Sequence, residues 1–456
     1  ATTEIYTLSL HDALPIFDAS STEQALWMPV VTEAIINRVN LEERLLSMVD
    51  VETKDEKLEE EFLVTRTVGN KEVWEHLDDW EASIRAEYQQ LVVQKEAVKQ
   101  MPKSKLYEMA ESKQLPIELL PGKMVHTRKA GSGAYRSRAV VCGNYQEASA
   151  EERYAGGADG NQIRMMLRTS ALKRWALAGT DVRVAFLNAP KRNANKLTAM
   201  EVPYVFKKLG LAAASDVWLI EKALYGLVAS PRDWCIYRDE VLPTLRWTRS
   251  TDGEDYAGRF VHSGDDNMWR LMEVNTKTGQ ETWAGLMSVY VDDLLVSAEP
   301  ETIQAAMDAV AKTWTISAVE WASTDKPLRY CGFEVLADEH GDGFQVSQKM
   351  FEQELLSRWA VSESLAYPAF KINEEDELVT SEISQADIKS AQALTGALLW
   401  LSTRTRPDLV HGVSVMSRLV TKNPKKSLEI GHALLKYLHG NPGGIHFPSG
   451  VANGEW

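Results

Sequence analysis

Two adjacent aspartates, Asp292 and Asp293, interrupt an apolar run that has the composition of a buried strand. The run reads "GLMSVYVDDLLVSAEP" (285–300), with branched and aliphatic residues on both sides of the acids. An unpaired carboxylate in such surroundings is strongly unfavourable or takes up a proton. A hairpin that presents both acids at its tip to one or more divalent cations would make the run physically sensible. The pattern therefore predicts a strand–turn–strand unit whose tip binds metal.

A third carboxylate on a neighbouring strand would complete such a site, and Asp181 is the best candidate. It opens "DVRVAFLNAP" (181–190), which reads as a strand directly after an amphipathic helix. Three carboxylates around two cations would lower the pKa of an attacking hydroxyl, neutralise phosphoryl charge and stabilise the leaving oxygen. Asp181, Asp292 and Asp293 together thus indicate metal-dependent phosphoryl transfer.

Composition and charge set wider limits on the function. The 456 residues suffice for two to four domains, and 44% of them are hydrophobic. No apolar run approaches a membrane span, and three widely separated cysteines indicate a reducing compartment. The net charge of −15 argues against nucleic-acid binding. The acids, however, are concentrated in blocks such as 49–62 and 373–377, whereas 121–140 and 401–440 are basic, so two local surfaces for phosphate contacts are predicted.

The remaining periodicities predict a mixed chain. Residues from about 18 to 100 read as helical, with one buried face formed by Trp74, Leu77, Trp80, Ile84 and Tyr88. Downstream, the sequence predicts in order a basic hairpin, an amphipathic helix, the strand after Asp181, a helix after "YGLVASPRDW", the aspartate hairpin, a further helix, a hairpin over "YCGFEVLADEHGDGFQVSQ" and a basic helical end over 385–439.

Several long motifs follow one another in a recognisable order: "DVRVAFLNAP", "KALYGLVASPRDW", "YVDDLL", "YCGFEV" and "LTGALLWLSTRTRPDLVHG". In this order they resemble the reverse transcriptase of copia-type long-terminal-repeat retrotransposons, over about residues 74–445. The resemblance implies an α+β right-hand polymerase fold with fingers, a palm built on an antiparallel sheet, and a helical thumb or connection-like region. It also implies RNA-directed DNA polymerase activity, with nucleotidyl transfer from a dNTP to a primer 3′-hydroxyl.

The resemblance assigns roles to named residues. Asp181, Asp292 and Asp293 become the catalytic, metal-binding triad, with Asp181 and Asp292 the expected direct ligands. Phe186 is expected under the sugar, where its bulk would exclude a 2′-hydroxyl, and Tyr225 beside the base or sugar.

Further roles concern the triphosphate and the primer. Gly226 would let the backbone approach the nucleotide, and Arg138 would hold the triphosphate, assisted by either Arg128 or Lys129. A primer grip is implied at Cys331, Gly332 and Phe333.

The chain divides into expected segments. Residues 1–17 resemble a translated sequencing adapter and are expected to be a non-native leader, and 18–114 are expected to be an N-terminal helical and acidic linker region. The family resemblance implies fingers (115–180), palm (181–345) and a thumb or connection-like region (346–456) that stops before a ribonuclease H domain. RNA degradation by this chain is therefore not expected.

The implied cofactor is Mg²⁺, with Mn²⁺ as a substitute. The implied partners are an RNA or DNA template with primer, dNTPs, and the integrase, protease and ribonuclease H segments of a polyprotein, with no membrane. The expected location is the cytoplasm, in a virus-like particle, or the nucleus. Two other readings stay open: an inactive retroelement remnant that binds nucleic acid or only folds, and another palm enzyme such as a nucleotide cyclase.

Overall fold

The computed structural model describes most of the chain after residue 65. The described residues are 66–128, 132–146, 156–265, 267–339, 343–373, 376 and 383–450. The expectations for the leader (1–17) and for helices within 18–65 lie outside them.

Helices occur in every part of the described chain. They are α1 (Asn70–Glu75), α2 (Leu77–Tyr88), α3 (Lys103–Lys113), α4 (Gly160–Lys173), α5 (Tyr204–Lys208), α6 (Ser230–Val241), α7 (Pro300–Ala311), α8 (Lys349–Arg358), α9 (Gln385–Arg404), α10 (Val410–Leu419) and α11 (Pro424–Gly440). Among the described residues, no helix is both long enough and apolar enough to cross a membrane.

The strands of the described residues form four sheets. They are β1 (Arg66–Val68), β2 (Val98–Pro102), β3 (Ile117–Leu120), β4 (Gly122–Arg128), β5 (Tyr135–Val141), β6 (Ala176–Asp181), β7 (Leu197–Glu201), β8 (Asp216–Ile220), β9 (Arg246–Thr251), β10 (Glu254–His262), β11 (Met268–Asn275), β12 (Glu281–Tyr290), β13 (Asp293–Ala298), β14 (Glu320–Trp321), β15 (Leu328–Tyr330), β16 (Phe333–Ala337), β17 (Phe344–Ser347) and β18 (Ile445–Phe447). The sheet orders are β1-β4-β5, β2-β8-β7-β3, β15-β16-β17-β18 and the long sheet β14-β6-β13-β12-β11-β10-β9.

The long sheet is antiparallel throughout and is covered on both faces at its centre. Ala178, Leu294 and Val296 belong to a core that also contains Trp234 of α6 and Ile303 of α7. Residues of opposite parity on the same strands pack into a second core with α4 and with strands β15 to β17. Burial on both faces explains why β13 reads as a continuous apolar run.

Most predicted elements are present, with three differences. Trp74 is 37% exposed and does not belong to the buried face of α2, although Trp80 and Ile84 do. "YCGFEVLADEHGDGFQVSQ" contributes to the three-stranded meander β15-β16-β17 and not to a single hairpin. The strand expected from Asp181 to Pro190 instead ends at Asp181, because the chain turns sharply at Val184.

Candidate active site

The two predicted catalytic segments lie side by side in the long sheet. Strands β6 and β13 pair antiparallel, and their register places Asp181 directly opposite Asp293. Residues directly opposite one another have side chains on the same face. The backbone N–H of Val182 donates to the carbonyl of Asp292 at 2.8 Å. Asp293 is therefore the cross-strand partner of Asp181, and which carboxylates bind metal directly stays a prediction.

A tight two-residue turn presents the acids, as the sequence predicts. Tyr290 pairs with Asp293 across the β12–β13 hairpin, which leaves Val291 and Asp292 at the tip. Val291 has φ of +54°, an uncommon conformation for a β-branched residue. Val291, Asp292 and the first strand residue Asp293 are half-buried, so the carboxylates lie at the edge of the core.

The three aspartates offer carboxylate oxygens from two adjoining strands, and hard divalent cations prefer ligands of this type. Within the described part of the chain, however, no group of three or more His, Cys, Asp or Glu side chains is placed to hold a metal ion. The backbone register brings the two acidic segments together, and metal binding by these carboxylates stays a prediction.

A short 3₁₀ turn, and not a strand, carries Phe186. Val184 adopts a left-handed conformation with φ of +51°, and the turn Ala185–Asn188 follows at once. The N–H of Arg183 donates to the carbonyl of Thr315, and that of Ser317 to Asp181. The expectation that Phe186 shares a strand with Asp181 is wrong. The reversal nevertheless keeps the ring near the end of β6.

Three residues predicted for nucleotide binding meet beside this turn. The rings of Phe186 and Tyr225 are 5.7 Å apart, and the Arg138 guanidinium lies 5.2 Å from the centre of the Tyr225 ring. Burial raises the pKa of Tyr225 to about 12; Arg138 lowers it, and Glu87 and Asp292 raise it. The phenol therefore stays neutral and lies within electrostatic reach of the aspartate tip.

Position 226 requires glycine because its backbone lies close to another segment of the chain. It has φ of +89°, and a Cβ there would lie 2.0 Å from the carbonyl oxygen of Val141. The N–H of Val141 donates to the carbonyl of Tyr225 at 2.8 Å. The close approach thus ties β5 to "YGL", which positions Arg138 beside Tyr225. An approach of Gly226 to a nucleotide stays a prediction.

The pleat of the β4–β5 hairpin separates its basic residues. Arg136 and Arg138 share one face, whereas Arg128 lies opposite Tyr135, with the parity of buried His126. The Arg128 guanidinium stacks 4.8 Å from the centre of the Tyr135 ring. Lys129, the alternative to Arg128, lies outside the described residues. Arg136 therefore shares a face with Arg138, and the sequence assigned it to the basic segment 121–140 without a role of its own.

Glu87 is a neighbour that the sequence reading missed. It lies on α2 with 6% of its surface exposed, and its Oε1 accepts the N–H of Ala139 at 2.9 Å. Burial raises the pKa of Glu87 to about 7, although Ala139, Arg138 and Arg136 lower it. The sequence gave no sign that Glu87 is buried, because an acidic residue on a predominantly polar helix is normally exposed.

Glu87→Gln should make the protein more stable above pH 7. The carboxyl ionises near pH 4.5 when unfolded and near 7 when folded, so the folded state binds more protons between these values. The stability contributed by the neutral acid is full below pH 4.5 and is lost as pH rises through 7. The glutamine variant avoids this loss of about 3 kcal/mol and keeps an acceptor for Ala139.

Urea unfolding of wild type and Glu87→Gln at pH 5 and pH 8 measures the effect. His126, whose pKa burial lowers to about 4, is present in both proteins and cancels in the difference. Glu81→Gln on the same helix, where Glu81 is an exposed partner of Arg85, is the matched control. Parallel stability curves for wild type and Glu87→Gln would contradict the assignment.

Comparison with known proteins decides the family. Residues 107–368, more than half of the chain, match the family described as "Reverse transcriptase (RNA-dependent DNA polymerase)". The chain belongs to this reverse transcriptase family. The match contains both predicted catalytic segments, the "YGLVASPRDW" segment and the β15–β16 hairpin.

Curated proteins similar to this chain come from retrotransposons, which confirms the resemblance to copia-type reverse transcriptases. The Pol polyprotein from transposon TNT 1-94 of Nicotiana tabacum is 24% identical over 321 residues, 68% of this chain and 22% of that protein. The corresponding polyprotein from transposon RE1 of Arabidopsis thaliana is 23% identical over 343 residues, 72% of the chain and 20% of that protein. A putative transposon Ty5-1 protein of Saccharomyces cerevisiae is 24% identical over 263 residues, 57% of the chain and 75% of that protein. The chain spans about a fifth of the length of the two plant polyproteins.

The hairpin predicted as primer grip is locked against the C-terminal helices of this reverse transcriptase family member. Cys331 and Gly332 both have positive φ and close a two-residue turn between β15 and β16. Arg404 donates to the carbonyl of Cys331 at 3.2 Å and stacks 3.6 Å from the centre of the Trp400 ring. Cys331 and Phe333 are buried, and Gly332 is exposed. A primer contact here, which stays a prediction, would involve the backbone at Gly332.

Part of the second basic surface predicted from sequence is buried or paired with acids. Arg404 and Arg406 are 8% and 3% exposed, and Arg406 pairs with Glu352 and Asp408. Lys426 and Lys436 pair with Glu429 and Glu363. The charges were read as surface because their acidic partners are partly distant in sequence. Exposed Lys422 and Lys425 remain as candidates for phosphate contacts.

Proposed function

We propose that this chain is an RNA-directed DNA polymerase that transfers a nucleotide from a dNTP to a primer 3′-hydroxyl. The observation that supports this most directly is the register of Asp181 opposite Asp293, with Phe186, Tyr225 and Arg138 grouped beside the same edge. The aspartates would hold a cation at the reacting phosphate. The aromatic rings would contact the sugar, and the arginine would contact the triphosphate. A cyclase would not require this group or the "PRDW" helix.

A right-hand arrangement follows as part of the proposal. The fingers would comprise about 115–180, the palm 181–345 and the thumb or connection-like region 346–456. The long sheet would form the palm, although it begins at Ala176. The sheet built on β4 and β5 would carry the triphosphate-binding Arg138.

Each residue of the site has a defined task in the proposal. Asp181, Asp292 and Asp293 would hold Mg²⁺, or Mn²⁺ in its place, and the cation would supply charge neutralisation at the phosphoryl group. Arg138, aided by Arg136, would orient the triphosphate.

The native context is also proposed. An RNA or DNA template with primer would be the partner, and the chain would act as one segment of a polyprotein with protease, integrase and ribonuclease H, in a cytoplasmic particle or the nucleus. The names of the plant relatives describe Pol polyproteins, which supports this setting.

Primer extension on poly(rA)/oligo(dT) with dTTP and Mg²⁺ tests the function. Stepwise primer lengthening that requires template is expected. Pyrophosphate release without primer would favour a cyclase. Binding of the hybrid without extension would favour an inactive remnant.

Phe186→Val should relax the choice of sugar if the ring lies beneath C2′. The smaller side chain would admit a 2′-hydroxyl, so the ratio of kcat/KM for dNTP over rNTP should fall by about tenfold or more. Single-nucleotide extension with each substrate gives the ratio.

Phe260→Val is the matched control for this prediction. Phe260 is 1% exposed and belongs to the core against which Phe186 packs. Its truncation should lower stability and leave sugar preference unchanged. An unchanged ratio in active Phe186→Val protein would return Phe186 to a packing role.

A further inference from the structure

A buried indole contacts the aspartate tip from outside the hairpin. The Nε1–H of Trp234 donates to the carbonyl oxygen of Val291 at 2.6 Å. Trp234 lies on α6 with none of its surface exposed. This bond joins the buried ring of the "PRDW" segment to the half-buried "YVDD" turn.

The donor is fixed by its surroundings. The Trp234 ring makes an edge contact with Trp314, with ring centres 5.2 Å apart, and lies 6.2 Å from the ring of Tyr237. All three side chains pack in or against the core beneath the long sheet. A side chain so enclosed has little rotamer freedom, so the direction of its N–H is set before substrate arrives.

The acceptor belongs to the peptide group between Val291 and Asp292, and the orientation of this group sets the direction of the Asp292 side chain. The carbonyl of Val291 and the N–H of Asp292 share one peptide plane, so rotation of this plane changes ψ of Val291 and φ of Asp292 together. Val291 already holds an uncommon φ of +54°, a conformation that persists only where the surroundings enforce it. On the other side of the turn, the main-chain carbonyl of Asp292 accepts a hydrogen bond from the N–H of Val182.

We infer that Trp234 is a positioning residue that holds the Val291–Asp292 peptide and thereby fixes the direction of the Asp292 carboxylate. This inference rests on the proposed polymerase function. Trp234 touches neither nucleotide nor metal in this role. Its contribution is made through the turn, and its loss should lower turnover more than substrate binding.

Trp234→Phe and Trp314→Phe form a matched pair of variants. Both tryptophans are buried in the same core, but the Nε1 of Trp314 has no hydrogen-bond partner among the described residues. Each change removes a similar ring volume, and only Trp234→Phe removes a donor to the turn. We expect Trp234→Phe to lower kcat by about tenfold with KM for dNTP within about twofold, and Trp314→Phe to keep kcat within about threefold of wild type.

A rescue variant and a spectroscopic measurement separate positioning from packing. Val291→Gly adopts positive φ readily, so it should make kcat less sensitive to Trp234→Phe in a double-mutant cycle. In ¹⁵N-labelled wild type, the Trp234 indole N–H should exchange with deuterium slowly. If Trp234→Phe does not fold, replacement of Trp234 by 3-benzothienylalanine keeps both rings, lacks the N–H and gives the same comparison.

The outcomes distinguish this inference from the proposed function. Wild type without primer extension would overturn the polymerase proposal, while indole exchange would still report the hydrogen bond. Active wild type with equal kcat in the two phenylalanine variants would overturn the positioning role alone, as would fast exchange of the Trp234 indole.

Discussion

Asp181→Asn, Asp292→Asn and Asp293→Asn proteins should each lose nucleotide incorporation by several powers of ten while staying folded. The three residues share the end of one strand pair, so each amide removes a charged oxygen ligand from the proposed cation site. Folding should be retained or slightly improved, because replacing one acid relieves repulsion from the others. Single-turnover primer extension measures the loss, and urea unfolding measures the stability.

Asp308→Asn is the control for a general effect of lost negative charge. Asp308 lies on α7 and accepts a hydrogen bond from Gln304 at an exposed position. Its variant should extend primers at the wild-type rate. Binding of Mn²⁺, followed by electron paramagnetic resonance, should weaken in the three site variants and not in the control. Activity within tenfold of wild type in any site variant would remove that aspartate from the proposed triad.

Local sequence pattern predicted the aspartate hairpin well, because two independent constraints agree there. An apolar run of this length needs burial, and adjacent acids need an exit from the core, so a turn at Val291 and Asp292 satisfies both. The same reasoning found Asp181, since a neighbouring strand is the simplest source of a third acid. Pairing of β6 with β13 confirms that expectation at the level of the backbone.

The path after Asp181 could not be predicted from pattern, because "VAFL" is as apolar as a strand. The left-handed backbone at Val184 is enforced by long-range bonds such as that between Arg183 and Thr315. A β-branched residue gives no local signal for such a turn. The contacts of Glu87 and Trp234 could not be predicted either, because their partners come from distant segments.

Ser230, which precedes the proline of the "YGLVASPRDW" segment, has a structural role that depends on a residue six positions earlier in the chain. Its hydroxyl donates to the carbonyl of Leu224 at 2.7 Å and accepts the N–H of the same residue at 2.8 Å. The side chain is buried, and it staples the loop that leads from Tyr225 into α6.

The basic C-terminal region misled the sequence reading most clearly. Its arginines were expected to contact phosphates, yet Arg406 donates to Glu352, which lies 54 residues earlier in the chain. Charge counted along a segment cannot reveal an acid that folds back from another helix. The consequence is a change of role for Arg406, from nucleic-acid contact to internal support.

Arg406→Met should therefore destabilise the folded protein without directly weakening nucleic-acid binding. Arg406 is 3% exposed, and its guanidinium is 3.3 Å from Glu352 and 2.8 Å from Asp408. Removing the cation leaves the buried Glu352 without a partner, and such a loss typically amounts to about 3–5 kcal/mol.

Lys436→Met is the matched control, since Lys436 pairs with Glu363 at 2.5 Å where 36% and 73% of the side chains are exposed. An exposed pair contributes about 0–1 kcal/mol, so this variant should stay close to wild type in urea unfolding. Glu352→Gln should cost less than Arg406→Met, because Asp408 still pairs with the arginine. Burial raises the pKa of Glu352 despite Arg406, so without the arginine the acid can escape its charge by protonation, and the defect of Arg406→Met should shrink as pH falls. An Arg406→Met protein as stable as Lys436→Met, with binding to primer–template lost, would restore the arginine to the nucleic-acid surface.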